Sequence, residues 1–194
     1  MSFGRSSLLR RVFRGAVTAV TALAFVFQVS AETIAVKSAV VRAQDDAYVV
    51  DAEFDFVLTT PLEEALVRGT PLYFVLETEV TRSRPYWFDE RVPSPTFVRR
   101  VTFAPLTNAY RVDTGRSVGT AQSYPTLSEA LRQVRLVRGR TLFEKRDLRS
   151  GERYAASPRL KPDTTQLPKP LQVNTLVSRE WTLASDWYRM VLTP

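Results

Sequence analysis

Two adjacent carboxylates, Asp89 and Glu90, follow the aromatic run Tyr86-Trp87-Phe88, and Arg84 stands just before it. An acid pair beside aromatic rings is what a sugar site requires, and a carboxylate-dependent hydrolase of cell-wall glycan is one chemistry this cluster could serve. Glycosidase carboxyls face each other across a substrate at about 5 to 9 Å. Neighbours on a strand point to opposite faces, so Asp89 and Glu90 cannot form such a pair between themselves. Glu180 or Asp186 would have to converge from elsewhere, and nothing in the spacing demands it. The second chemistry is recognition without catalysis. Trp, Tyr and Arg are enriched where partners bind tightly, which makes Arg84, Tyr86, Trp87 and Asp89, with Trp181, Asp186 and Trp187 near the C-terminus, a candidate binding surface. Alternation along a strand separates Trp87 from Tyr86 and Phe88, and at least Trp87 and Phe88 are expected in the core at one end of a sandwich.

The missing residue types exclude more than the present ones suggest. There is no cysteine and no histidine, so the chain cannot build a zinc site from nitrogen and sulfur ligands, a Cys nucleophile or a Ser-His-Asp triad. Asp51, Glu53 and Asp55 alternate along a strand and sit roughly 7 Å apart, pointing to solvent. Ca²⁺ needs six to eight converging oxygens, which a flat strand face does not supply. No cofactor and no metal are expected, and no catalytic residue is assigned.

These side chains must be positioned by ribbons. From Pro71 the chain begins a strand in which Leu72, Phe74, Leu76, Thr78 and Val80 fall on one side and Tyr73, Val75, Glu77, Glu79 and Thr81 on the other. Residues 34–41 and 48–58 form an antiparallel pair turning at Gln44-Asp45-Asp46. Phe54 and Phe56 are expected in one core with Leu72, Phe74 and Leu76, while Asp51, Glu53 and Asp55 face water. A short helix starts with Thr60 as cap, Pro61 at the first helical position and Glu63 completing a capping box, and stops at Gly69. A second begins at Thr126 with Glu129 three residues on, its apolar side carrying Leu127, Ala130, Leu131 and Val134. Pro93 and Pro95 make residues 91–95 a loop. Strands follow over 96–103 and 109–113, with an exposed turn over 114–119. Residues 136–144 fit no period clearly. Pro158 and Pro162 confine any strand over 152–161 to an edge, or break it. Pro168-Lys169-Pro170 favours an extended, polyproline-like rod that straps one end of the sheet, with Lys169 as its candidate docking residue. The tail reads as a final strand carrying Trp181 and Trp187. The fold expected is mainly β, an antiparallel β-sandwich with two short α-helices, preceded by a signal-peptide helix.

That leader is read from Arg5, Arg10, Arg11 and Arg14, the uncharged apolar run from Gly15 to Val29, and Val29-Ser30-Ala31. Small residues there suit cleavage after Ala31, leaving residues 32–194 as one exported domain. The apolar run is shorter than the roughly 20 residues that span a bilayer comfortably; an uncleaved anchor is the alternative. The Arg10-Arg11 pair leaves twin-arginine export as an alternative route. Residues 1–31 hold four arginines and no acid, so the formal charge of +7 falls to +3 without them. The basicity is therefore in part an export signal, and nucleic acid is not an expected partner. A cysteine-free exported chain has no disulfides, so burial alone must hold the fold. No stable membrane insertion is expected after cleavage, and the partner expected is another envelope protein.

Gly69-Thr70-Pro71-Leu72-Tyr73-Phe74, Tyr86-Trp87-Phe88-Asp89-Glu90, Leu106-Thr107 with Tyr110, Leu167-Pro168-Lys169-Pro170-Leu171-Gln172 and Trp181-Thr182-Leu183-Ala184-Ser185-Asp186-Trp187 occur in order. In these motifs the chain resembles a family of exported proteobacterial proteins of unknown function, often labelled proline-rich signal-peptide proteins. The resemblance spans nearly all of residues 32–194 and implies a periplasmic or envelope location. It brings no activity, cofactor or catalytic residue. The family's genes often lie beside those for a membrane sensor kinase, which implies an envelope-sensing context. Pro158 and Pro162 depart from the family pattern, which has an uninterrupted strand there.

Overall fold

Strict alternation over Leu72–Arg82 produces the central strand of the larger sheet, β3. Leu72, Phe74, Leu76, Thr78 and Val80 are all buried, as expected of its inward face. The computed structural model describes residues 33–115, 121–177, 181 and 183–192. The expected leader over residues 1–31, residues 116–119 of the expected turn, and Glu180 lie outside the described residues.

On one side β3 pairs along most of its length with β9, Tyr154–Pro162. On the other it pairs first with β5, Phe97–Ala104, through Leu72–Leu76, and then with β4, Glu90–Val92, through Val80–Arg82. Pro93 and Pro95 cannot donate to the ladder between those two partners, and the Ser94 hydroxyl donates to the Thr78 carbonyl in that gap. The sheet runs β10-β9-β3-β5-β6-β7, where β6 is Ala109–Asp113, β7 Gln122–Tyr124 and β10 Met190–Leu192. The smaller sheet has the order β1-β2-β8, from Ala35–Gln44, Ala47–Asp55 and Leu136–Glu144. All named pairings are antiparallel. Phe54 and Phe56 share one core with Leu72, Phe74 and Leu76, so the β-sandwich reading and its central core hold.

Helix α1, Thr60–Val67, is capped one residue earlier than expected. Thr59 is the N-cap, without a side-chain cap bond, so the capping box at Thr60 does not form. Its end matches expectation: Gly69 has φ +92° and donates to Leu66 O, while Thr70 N donates to Ala65 O, the paired bonds of a Schellman stop. Helix α2, Leu127–Arg135, begins as expected, with the Thr126 hydroxyl accepting from Glu129 N at 3.3 Å, and it buries Ala130, Leu131 and Val134.

Four expectations about the frame need correction. The helices number three among the described residues, because Lys169–Val177 forms α3 where an extended rod was expected. Pro168 and Pro170 sit at its very start, where the first N–H groups have no helical acceptor and proline costs little; the Pro168 carbonyl accepts from both Leu171 N and Gln172 N. Pro158 and Pro162 likewise leave β9 unbroken; it lies between β3 and β10, which covers Tyr154–Ala156, while over the two prolines β3 is the strand it pairs with. The residues of β9 in step with these prolines turn their backbone polar groups away from β3. Leu160 exchanges its bonds with Ser185, and Pro158 O accepts from Tyr188 N, so the missing donors interrupt no bond to β3. The final strand is only three residues long, and Trp181 and Trp187 both precede it.

The fourth correction concerns Asp51, which is only 9% exposed. Its carboxylate accepts from Gly139 N at 2.6 Å and from Arg42 Nε at 2.7 Å. Gly139 has φ +56° and stands where the β2–β8 register slips. That bulge leaves a backbone N–H needing a partner, and Asp51 supplies one. Asp55 faces water and pairs with Lys37 at 3.2 Å. Both acids therefore meet cations on the strand face.

Candidate functional site

β3 ends at Arg82 and β4 begins at Glu90, so the chain must reverse over seven residues. Pro85 cannot continue a ladder, and Tyr86 adopts φ +68°, a conformation uncommon for a side chain of that size. The turn that results lifts three consecutive rings away from the sheet: Tyr86, Trp87 and Phe88 are 101%, 76% and 92% exposed. The expectation that Trp87 and Phe88 pack in the core is thereby overturned. Strand alternation no longer governs them, because they lie beyond the last residue of the ladder.

The turn is closed from within and braced from below. Trp87 N donates to Arg84 O at 3.5 Å, and Arg84 Nε donates to Phe88 O at 3.2 Å. At its base, Arg82 is only 13% exposed in its side chain. Its guanidinium donates to Glu90 and, at 3.0 Å, to Glu152 from the loop before β9. Ser83 N adds a bond to Arg153 O at 2.9 Å. One arginine thus holds both stems of the turn and a neighbouring loop through charge-assisted bonds. The hydrogen bond from Arg82, followed by its charge, holds the Glu90 carboxyl below the usual range; burial offsets this in part, and Arg84 and Arg149 add to the lowering. That direction favours the ionised form, the opposite of what a general acid needs.

The remaining candidates divide into two groups. Asp89 meets Arg189 at 3.8 Å, which ties the turn to the segment leading into β10. Trp187, in that same segment, lies under the Arg159 guanidinium at 5.4 Å from the ring centroid. Asp186, Trp187 and Tyr188 line an open cleft of about 270 Å³ together with Thr33 to Val36. Trp181, by contrast, is buried in the core, and Lys169 is exposed at the start of α3, far along the chain from the turn. The site therefore gathers Arg84, Tyr86, Trp87 and Asp89, touches the tail through Arg189, and excludes Trp181. Sequence reasoning missed Arg82, Glu152 and Arg189. No periodic signal could have linked Arg82 to Glu152, which meet only because β3 and β9 are paired. Among the described residues, no group of three or more acidic side chains is placed to hold a metal ion.

A family model described as Domain of unknown function (DUF4390) matches residues 31–191. No curated protein and no solved structure matches the chain.

Proposed function

The chain belongs to this DUF4390 family of domains of unknown function, and from that premise we propose that it is a non-enzymatic binding or accessory protein of the periplasm or cell envelope. The β3–β4 turn is its recognition element. The observation carrying this reading is the exposure of three consecutive rings on a turn braced by partly buried ion pairs. Fully burying three such side chains would be worth on the order of 10 kcal/mol. Folding leaves that free energy unused, and a partner could recover it. The basic stretch and apolar run at the N-terminus support the location, and the family resemblance supports an envelope-sensing context.

Site-specific photo-crosslinking in the envelope tests the reading. A crosslinker replacing Trp87 is expected to yield a defined adduct, and one replacing Leu106, another fully exposed apolar side chain, is not. Identical outcomes at the two positions contradict the proposal.

A second reading, a carboxylate hydrolase of cell-wall glycan, draws support from one feature: Asp186 lies beside Trp187 and Tyr188 in an open cleft. Asp186 lies outside the turn, so the Asp186→Asn chain is expected to complement a deletion fully. A folded Asp186→Asn chain that fails to complement would favour catalysis over binding at the turn.

A further inference from the structure

We infer that the β3–β4 turn is a peripheral membrane anchor, which seats its three rings in the headgroup layer of a bilayer containing anionic lipid. The inference rests on the turn being the recognition element and names what it recognises.

Geometry supplies the first argument. Tyr86, Trp87 and Phe88 are consecutive and each at least three-quarters exposed, so a partner must cover all three at once. A fluid interface closes around each ring and needs no preformed pocket. Ring chemistry agrees: Trp and Tyr combine an apolar body with a polar handle and concentrate at membrane–water interfaces, while Phe adds purely apolar area.

Charge supplies the second argument. Arg82, Arg84, Arg149 and Arg189 pair with the three acids at the turn, Asp89, Glu90 and Glu152, and the exposed Arg153 joins them through its carbonyl, which accepts from Ser83 N. Five arginines therefore stand against three acids. Arg149 and Arg189 keep most of their side chains in water, and Arg84 keeps almost half. A positive collar beneath a cluster of rings fits lipid phosphates lying just outside the layer the rings enter, and guanidinium is the cation best shaped to grip them. The Arg82 brace keeps the turn in shape before contact, so little ordering remains for binding to impose.

Tryptophan fluorescence of the full chain reads the turn directly, since Trp87 is far more exposed than Trp181 or Trp187. Vesicles of brominated phosphatidylcholine mixed with phosphatidylglycerol are expected to blue-shift and quench the emission. Trp87→Phe should abolish that change, added salt should weaken it, and Tyr86→Ser with Phe88→Ser should lower apparent affinity at least about tenfold. Equal quenching in the Trp87→Phe chain, or on phosphatidylcholine alone, overturns the assignment. Absent quenching together with a protein adduct at position 87 also overturns it, and leaves the turn as a recognition element for protein. Absence of both quenching and adduct removes both readings.

Discussion

Phe74→Ala is expected to cost about 4 kcal/mol of folding stability and to lower the melting temperature by roughly 10 °C. Phe74 is 1% exposed on the inner face of β3, at the centre of the larger sheet, and its ring centroid lies 5.4 Å from that of Phe56 with the rings tilted by 33°. Truncation removes contacts on both sides of the core and leaves a cavity that two hydrogen-bonded sheets cannot collapse to fill. The chain has no disulfide to limit the damage. A loss of that size is a large share of the 5 to 15 kcal/mol typical of a whole domain. Urea titration of both variants checks the value, with Val40→Ala, at a half-exposed position on β1, expected to stay within about 0.5 kcal/mol of the unaltered chain. A loss at Phe74 no larger than at Val40 would mean that the two sheets do not share this core.

Asp51→Ala is the second large effect, expected at about 2 to 3 kcal/mol. The substitution strands the Gly139 N–H in the bulge of β8 and removes the partner of Arg42. Asp51→Asn, which retains an acceptor for Gly139 but loses the charge, should cost less. Burial pushes the Asp51 carboxyl up, but the hydrogen bonds from Arg42 and Gly139 and the charges of Arg42 and Arg138 outweigh it, so its pKa lies below the ordinary value. A depressed folded pKa means that the unfolded chain takes up its proton first as pH falls. The stabilisation is therefore complete above the unfolded value of about 4 and is lost as pH drops through the folded value below it. Urea midpoints measured from pH 6 down to pH 3 should fall less steeply in the Asp51→Ala chain than in the unaltered one. Parallel slopes would contradict the pairing.

The strands were legible wherever two-residue rhythm ran uninterrupted. Leu72 to Val80 announced both the strand and its buried side, and Thr126 with Glu129 announced α2 to the residue. Reading failed where a local rule was met in an unexpected place. The prolines at 158 and 162 lose no bond to β3 because their missing donors fall on the side facing the C-terminal segment. Those at 168 and 170 start a helix instead of stiffening a loop. β8 was illegible because the bulge at Gly139 shifts the phase of its alternation, and the residue that stabilises the bulge, Asp51, lies 88 positions away. In the candidate site the residue types were visible but their orientation was not. Reading the aromatic run as a core cluster at one end of the sandwich placed Trp87 and Phe88 indoors, whereas Pro85 and the left-handed backbone at Tyr86 turn them out.

The most direct test replaces Tyr86, Trp87 and Phe88 together with serine and measures thermal unfolding alongside complementation of a deletion strain. Because none of the three rings packs in the core, the melting temperature is expected to stay within about 2 °C of the unaltered chain, while complementation is lost. Full complementation by a chain that melts normally would show that the exposed rings serve no partner. A large fall in melting temperature would show that they belong to the fold after all.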